Sequence, residues 1–210
     1  MGYFPFYMEI ENKKCLIVGG GKTALRKTEK LIGFNPDITV IAPEICAELQ
    51  KLPVRKVYRD FRDEDIKNAF MVITATDDRS LNRHVSELCK AEKIPVNSVD
   101  DMENCSFVFP ALVHTHDITI GISTGGTSPT FAKFLRQIIE DEIDGHYLEI
   151  ADTLKKFRPI VLKMFSTEEI RREAMEAILD FCLIDDKIPD DEEIHNLLEA
   201  IHENKNRYKE

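Results

Sequence analysis

The sequence predicts an α/β protein: a parallel, doubly wound sheet at the amino-terminal end, then a small α+β region, then a helical carboxy-terminal segment. Three observations predict it. Short β-branched runs alternate with helical periodicity from residue 14 to about 99, the pattern of crossovers between parallel strands. Two extended runs flank a polar stretch between 107 and 123. The last third has helical periodicity only, and it carries the acidic excess of the chain.

Lys14-Cys15-Leu16-Ile17-Val18 reads as a buried strand that ends in Gly19-Gly20-Gly21. Residues 22–33 place Ala24, Leu25, Thr28, Leu31 and Ile32 at helical spacing, with Gly33 suited to a carboxy-terminal cap. Ile38–Ala42 is a second strand, Val54–Tyr58 a weaker third, Phe70–Ala75 a fourth and Ile94–Ser98 a fifth. Leu81, Val85 and Leu88 mark the helix between the last two. Each crossover is expected to be right-handed. Phe107–Val113 and Ile118–Ser123 read as a hairpin-like pair around His114-Thr115-His116-Asp117. The loop Thr124-Gly125-Gly126-Thr127-Ser128-Pro129 leads into a helix whose apolar face is Phe131, Phe134, Leu135, Ile138 and Ile139. Helices are expected near 146–164, 168–183 and 191–205. The expected domains are therefore 1–113, 114–145 and 146–210.

Composition narrows the function classes. The 210 residues carry a net charge of −10, with 16 basic and 17 acidic residues in 1–113 but 10 basic and 20 acidic residues in 140–210. No long basic stripe exists to displace counterions, so nucleic acid is not an expected partner. No apolar run approaches the roughly 18 residues that cross a bilayer. Met1-Gly2-Tyr3-Phe4-Pro5-Phe6 lacks the basic n-region of a signal peptide. A cytoplasmic protein without a membrane partner is the expectation. The 5 cysteines show no C-x-x-C spacing and read as packed thiols of a reducing compartment.

Gly19-Gly20-Gly21-Lys22-Thr23-Ala24 matches G-x-G-x-x-A between a strand and a helix. In that context the first glycine permits the tight turn and the second lets backbone approach a pyrophosphate. Ala24 lets the helix pack on the strand, and the helix N-terminus faces the phosphates. Dinucleotide binding is the expected function of the turn. Glu44 follows Pro43 after the second strand. It is either a ribose ligand or a solvated residue in a helix's first turn. No arginine follows it directly, which favours NAD over NADP. Thr76 and Asp77 close the fourth strand and are candidates for the nicotinamide half; helix capping by Asp77 or Asp78 is the alternative. Asp100 follows the fifth strand and is either a general base near the nicotinamide or a turn residue. His114 and His116 form an H-x-H better read as a turn than as metal ligands. Ser128 before Pro129 reads as a helix cap.

Taken together, the ordered motifs identify a family. They are Leu16-Ile17-Val18-Gly19-Gly20-Gly21; Ala24-x-Arg26-Lys27; Thr39-Val40-Ile41-Ala42-Pro43; Ala75-Thr76-Asp77-Asp78 with Asn82; Val96-Asn97-Ser98-Val99-Asp100; Cys105-Ser106-Phe107-Val108-Phe109-Pro110-Ala111; and Ile122-Ser123-Thr124-Gly125-Gly126-Thr127-Ser128-Pro129. This set resembles the precorrin-2 dehydrogenase / sirohydrochlorin ferrochelatase family, the siroheme synthase amino-terminal module. The resemblance implies a Rossmann domain, a dimerisation region over 114–145 and a helical domain, in an interlocked homodimer. It implies NAD-dependent oxidation of precorrin-2 to sirohydrochlorin, and in some members insertion of Fe2+. The family's important aspartate maps onto Asp100. Its cofactor contacts map onto Gly19, Gly20, Gly21, Lys22, Thr23 and the Pro43-Glu44 neighbourhood. Its loop serine, phosphorylated in some members, maps onto Ser128. Precorrin-2 is a polycarboxylate, so a chain of net charge −10 needs a local basic patch to hold it. Lys133 and Arg136 are candidates for that patch. No resident metal is expected. The alternative to catalysis is an NAD-sensing module, which needs the glycine turn but not Asp100.

Overall fold

Apolar side chains on both faces of the central strands require a sheet that is covered on both sides. The computed structural model shows that sheet, with strands β1 (Lys14–Val18), β2 (Asp37–Ile41), β3 (Arg55–Val57), β4 (Met71–Thr74) and β5 (Val96–Ser98). All pairs are parallel and the order is β3-β2-β1-β4-β5. The structure describes residues 4–99, 102–143, 145–184 and 188–207. It divides into two units, one of Phe4–Phe109 and one that begins at Pro110.

Helix α1 (Lys22–Ile32) and the short α2 (Ala47–Lys51) cover one face of the sheet. There Ala24, Leu31 and Leu49 meet Cys15, Ile17, Val40 and Ile73. Helix α3 (Arg79–Ala91) covers the other face, where Val85 and Cys89 meet Leu16, Val18, Val72 and Val96. The alternation along β1 therefore feeds two separate cores. Register sets the ends of the strands level. Val57, Ile41, Val18, Thr74 and Ser98 form one row across the sheet.

The second unit starts with an antiparallel pair, β6 (Ala111–Thr115) and β7 (Ile118–Ile122). The hairpin begins later than its apolar run suggests. Pro110 has no N–H to donate to a ladder, and Phe107 and Phe109 pack against the core beside α1 instead. The expected domain boundary at 113/114 thus falls inside β6. Helix α4 (Pro129–Glu142) follows, then α5 (Gly145–Met164), α6 (Glu168–Ile184) and α7 (Asp191–Arg207). Phe157, Val161, Ile178, Ile194 and Leu198 form the shared core of the last three. Pro159 lies inside α5 and forfeits one backbone hydrogen bond. The buried Phe157 and Val161 on either side keep the helix continuous.

Gly33 is the carboxy-terminal cap of α1, as expected, but in right-handed geometry at φ −59°; the left-handed residue is Asn35 at φ 53°. The chain leaves the helix through Phe34 and Asn35, whose N–H groups donate to Leu31 and Ile32. Glu44 lies in the loop before α2 and not in a helical first turn.

Candidate functional site

The level strand ends deliver several loops to one edge of the sheet. The ladder runs one residue further: Gly19 N–H donates to Ile41 O at 2.9 Å, Ala75 N–H to Val18 O at 2.7 Å and Val99 N–H to Thr74 O at 3.2 Å. The glycine turn, the Pro43-Glu44 loop, Thr76 and the connection after Val99 therefore leave from neighbouring positions. This edge is the carboxyl end of a parallel sheet, at the place where chain order switches between β1 and β4. Ligands of open α/β sheets bind there.

The three glycines differ physically. Gly19 sits at φ +123°, and a Cβ on it would lie 2.3 Å from the Ala75 carbonyl oxygen. A Cβ on Gly20 would lie 2.0 Å from the Glu44 carbonyl oxygen. The Gly20 carbonyl also accepts from Cys46 N–H at 2.8 Å. The turn is thus wedged between the β2 and β4 loops. A Cβ on Gly21 would meet nothing within 4 Å. Gly21 is also the N-cap of α1, with no side-chain cap and no acidic residue in the first turn. The N–H groups of that turn have no intrahelical acceptor. Lys22 and Thr23 are exposed beside them. Open space, unspent donors and the positive helix end fit the pyrophosphate of a dinucleotide. Pro43 and Glu44 are exposed at the end of β2, where a ribose would lie.

The β4 loop is held by a buried amide. Asn82 Nδ2 donates to Thr76 O at 2.9 Å, and its Oδ1 lies 2.8 Å from the Thr76 hydroxyl. Asp78, not Asp77, caps α3. It accepts from Ser80 N–H at 2.8 Å and Leu81 N–H at 3.1 Å. The Ser80 hydroxyl and these amides hold the Asp78 carboxyl below the usual carboxylate range. Asp77 stays exposed. Thr76 and Asp77 therefore remain at the edge as ligand candidates. Asp100 lies outside the described residues.

A second buried network lies behind β5. Lys27 Nζ donates to Asn97 Oδ1 at 3.0 Å and lies 3.9 Å from the centre of the Phe109 ring. Burial pushes its ammonium down to about 8, with Lys30 adding to the effect. Sequence reasoning missed this network and the close packing of Gly20. The available signal was Asn97, a polar residue at the centre of the short strand Val96–Ser98. Burial also pushes the Cys15 thiol up to about 12 and the Cys89 thiol up to about 11, so neither is a nucleophile at neutral pH.

The other predicted residues belong to the second unit. Ser128 Oγ accepts from Phe131 N–H at 3.1 Å and caps α4, with Pro129 at its first position. Arg136 is ion-paired with Glu140 on the same helix. Lys133 is exposed. His114 bonds Thr119 at 2.9 Å, and His116 is the left-handed turn residue at φ 49°. Among the described residues, no cluster of His, Cys, Asp or Glu is arranged to hold a metal. No described helix is long and apolar enough to cross a membrane.

The edge geometry is that of a dinucleotide-binding α/β unit, and comparison with known proteins agrees. Residues 6–111 match the family described as putative NAD(P)-binding. Residues 117–142 match the central region of sirohaem biosynthesis proteins. The chain belongs to the putative NAD(P)-binding family. The siroheme synthase of Thioalkalivibrio sulfidiphilus is 40% identical over 184 residues, which is 86% of this chain and 38% of that protein. That of Pseudoalteromonas translucida is 37% identical over 188 residues, 88% of this chain and 40% of that protein. The chain thus spans about two fifths of the length of these relatives. The structure of SirC, a precorrin-2 dehydrogenase, superposes with a TM-score of 0.73 at 21% identity, covering 96% of this chain and 100% of that one. This likeness establishes the fold: a Rossmann-like parallel sheet, a small antiparallel pair and carboxy-terminal helices.

Proposed function

We propose that the chain oxidises precorrin-2 to sirohydrochlorin with NAD+. The observation that carries this reading is the row of level strand ends, which brings the open Gly21, the β4 loop and Val99, the residue before Asp100 in the sequence, to one edge. The similarity to siroheme synthases supports the substrate. Gly19, Gly20 and Gly21 shape the cradle, the first turn of α1 with Lys22 and Thr23 takes the pyrophosphate, and Pro43-Glu44 takes the ribose. Thr76, held by Asn82, lines the nicotinamide side with Asp77. Bound NAD+ supplies the hydride acceptor. Asp100 takes the proton that leaves the macrocycle in the same oxidation.

Insertion of Fe2+ into sirohydrochlorin is the companion activity, and the siroheme synthase relatives support it. Ser128 is read as a substrate-binding residue on the family resemblance alone. We read the chain as a homodimer. Phe131, Phe134 and Ile138 are exposed on α4 at positions i, i+3 and i+7 and supply an apolar stripe for a second copy. The 5 free thiols fit a cytoplasmic location.

The test is an anaerobic incubation of the protein with precorrin-2 and NAD+, without metal, followed by absorbance. NADH and sirohydrochlorin are expected to form together. A later addition of Fe2+ tests metallation. Measurable NAD+ binding without NADH would overturn catalysis and leave the NAD-sensing alternative.

A further inference from the structure

The connection between β5 and the 105–109 segment has a paired stem. Val96 N–H donates to Ser106 Oγ at 2.8 Å, and Ser106 N–H donates back to Val96 O at 2.8 Å. Asn97 Nδ2 donates to Phe107 O at 3.0 Å and lies 3.6 Å from Cys105 Sγ. Ser98 N–H donates to Cys105 Sγ at 3.1 Å, and Cys105 Sγ–H donates to Ser98 O at 3.1 Å. Three consecutive residues before the connection are thus tied to three after it. Asp100 belongs to the chain between these ties.

A side chain from another element reaches the stem. Lys27 comes from α1, the helix that starts at the glycine turn, and bonds the amide oxygen of Asn97. That bond orients the Asn97 amide, so that its NH2 group faces Phe107 and Cys105. The Lys27 ammonium lies over the ring of Phe109, which continues the same segment. Asn97 is 5% exposed, so an unpaired amide oxygen there would carry a desolvation cost.

We propose that Lys27 is a positioning residue: through Asn97 it fixes both ends of the connection that carries Asp100 relative to the helix that begins at the dinucleotide cradle. A lysine whose ammonium is buried is an expensive choice for packing alone, since an apolar residue of that length fills the same space. The groups that face Lys27 are Lys30 on its own helix and Cys105 on the stem. The catalytic consequence rests on the function proposed above; the structural one does not.

Lys27→Met and Lys27→Arg in the full chain test it. Amide hydrogen exchange reads the stem directly. Lys27→Met is expected to speed exchange at Ser98 and Ser106 about 10-fold or more while amides of β1 keep their protection. Lys27→Arg, which retains a charged donor, is expected to restore most of that protection. In turnover, Lys27→Met is expected to lower kcat about 10-fold and leave KM for NAD+ within about 2-fold. In an Asp100→Asn background it is expected to cost nothing further, because both changes then act through one residue. Should Lys27→Met lower the unfolding midpoint, Asn97→Ser removes the acceptor instead, and the same two amides are expected to lose protection. Wild-type protection at Ser98 and Ser106 in both variants overturns the proposal. So does a kcat loss that is fully additive with Asp100→Asn. If the wild type forms no NADH, the proposed function fails, while the exchange data still decide the role of Lys27.

Discussion

The sheet unit and the helical unit both close apolar cores, but they use them differently. In the sheet unit, side chains of β1, β2 and β4 feed two cores, and the strand ends finish in one row. The backbone just past that row is crowded, so Gly19 and Gly20 are locked by the carbonyls of Ala75 and Glu44. In the helical unit, Phe157, Ile178, Ile194 and Leu198 close a single core. There the polar residues cap helices or pair across their surfaces, as Arg136 does with Glu140. The lesson is that chemistry gathers where backbone geometry is forced, while the helices supply burial and surface charge.

That contrast is open to attack by substitution. The largest expected effect is Asp100→Asn. If Asp100 moves the proton, NADH formation falls about 100-fold or more while NAD+ affinity holds, measured by steady-state turnover and calorimetry. Loss below a few-fold would remove Asp100 from the mechanism. Next, Phe157→Ala empties a site that is fully buried in the helical core. Unfolding by denaturant is expected to show a loss of about 3–5 kcal/mol, with the Kd for NAD+ unchanged. A shifted Kd would mean that the helical core and the dinucleotide edge are coupled.

Smaller effects sharpen the reading of individual residues. Asp78→Ala removes the cap of α3 and is expected to cost about 1 kcal/mol of stability, whereas Asp77→Ala costs under about 0.5 kcal/mol. The reverse order would move the cap. The pH dependence concerns Lys27. Its folded value, about 8, lies below its ordinary 10.5. Below about pH 8 both states hold the proton, and the buried charge costs stability. Between about 8 and 10.5 the unfolded state binds more protons, so stability rises with pH. The stability of the wild type relative to Lys27→Met is therefore expected to improve across that window in chemical denaturation. A flat difference would contradict the burial of the ammonium.

Much of this was legible in the sequence because periodicity and turn chemistry are local. The run Cys15–Val18, the glycines after it and the capping pair Ser128-Pro129 all appear where the pattern predicts. Non-local packing hid the rest. Gly20 occupies a variable position of the motif, and its need for a hydrogen side chain comes from the Glu44 loop, which is distant in sequence. Asn82 and Asn97 read as ordinary polar residues until the fold buries them. Arg136 and Glu140 stand one helical turn apart, and only the folded helix shows that the two side chains pair.

The central claim is that the open face of the glycine turn receives the dinucleotide. Gly21→Ala tests it most directly, because its Cβ meets no protein atom within 4 Å and its backbone, at φ −84°, suits alanine. Calorimetric titration with NAD+ is expected to show at least about a 10-fold weaker Kd, a loss of about 1.4 kcal/mol, with the unfolding midpoint unchanged. Wild-type affinity in Gly21→Ala would place the dinucleotide elsewhere and contradict the account.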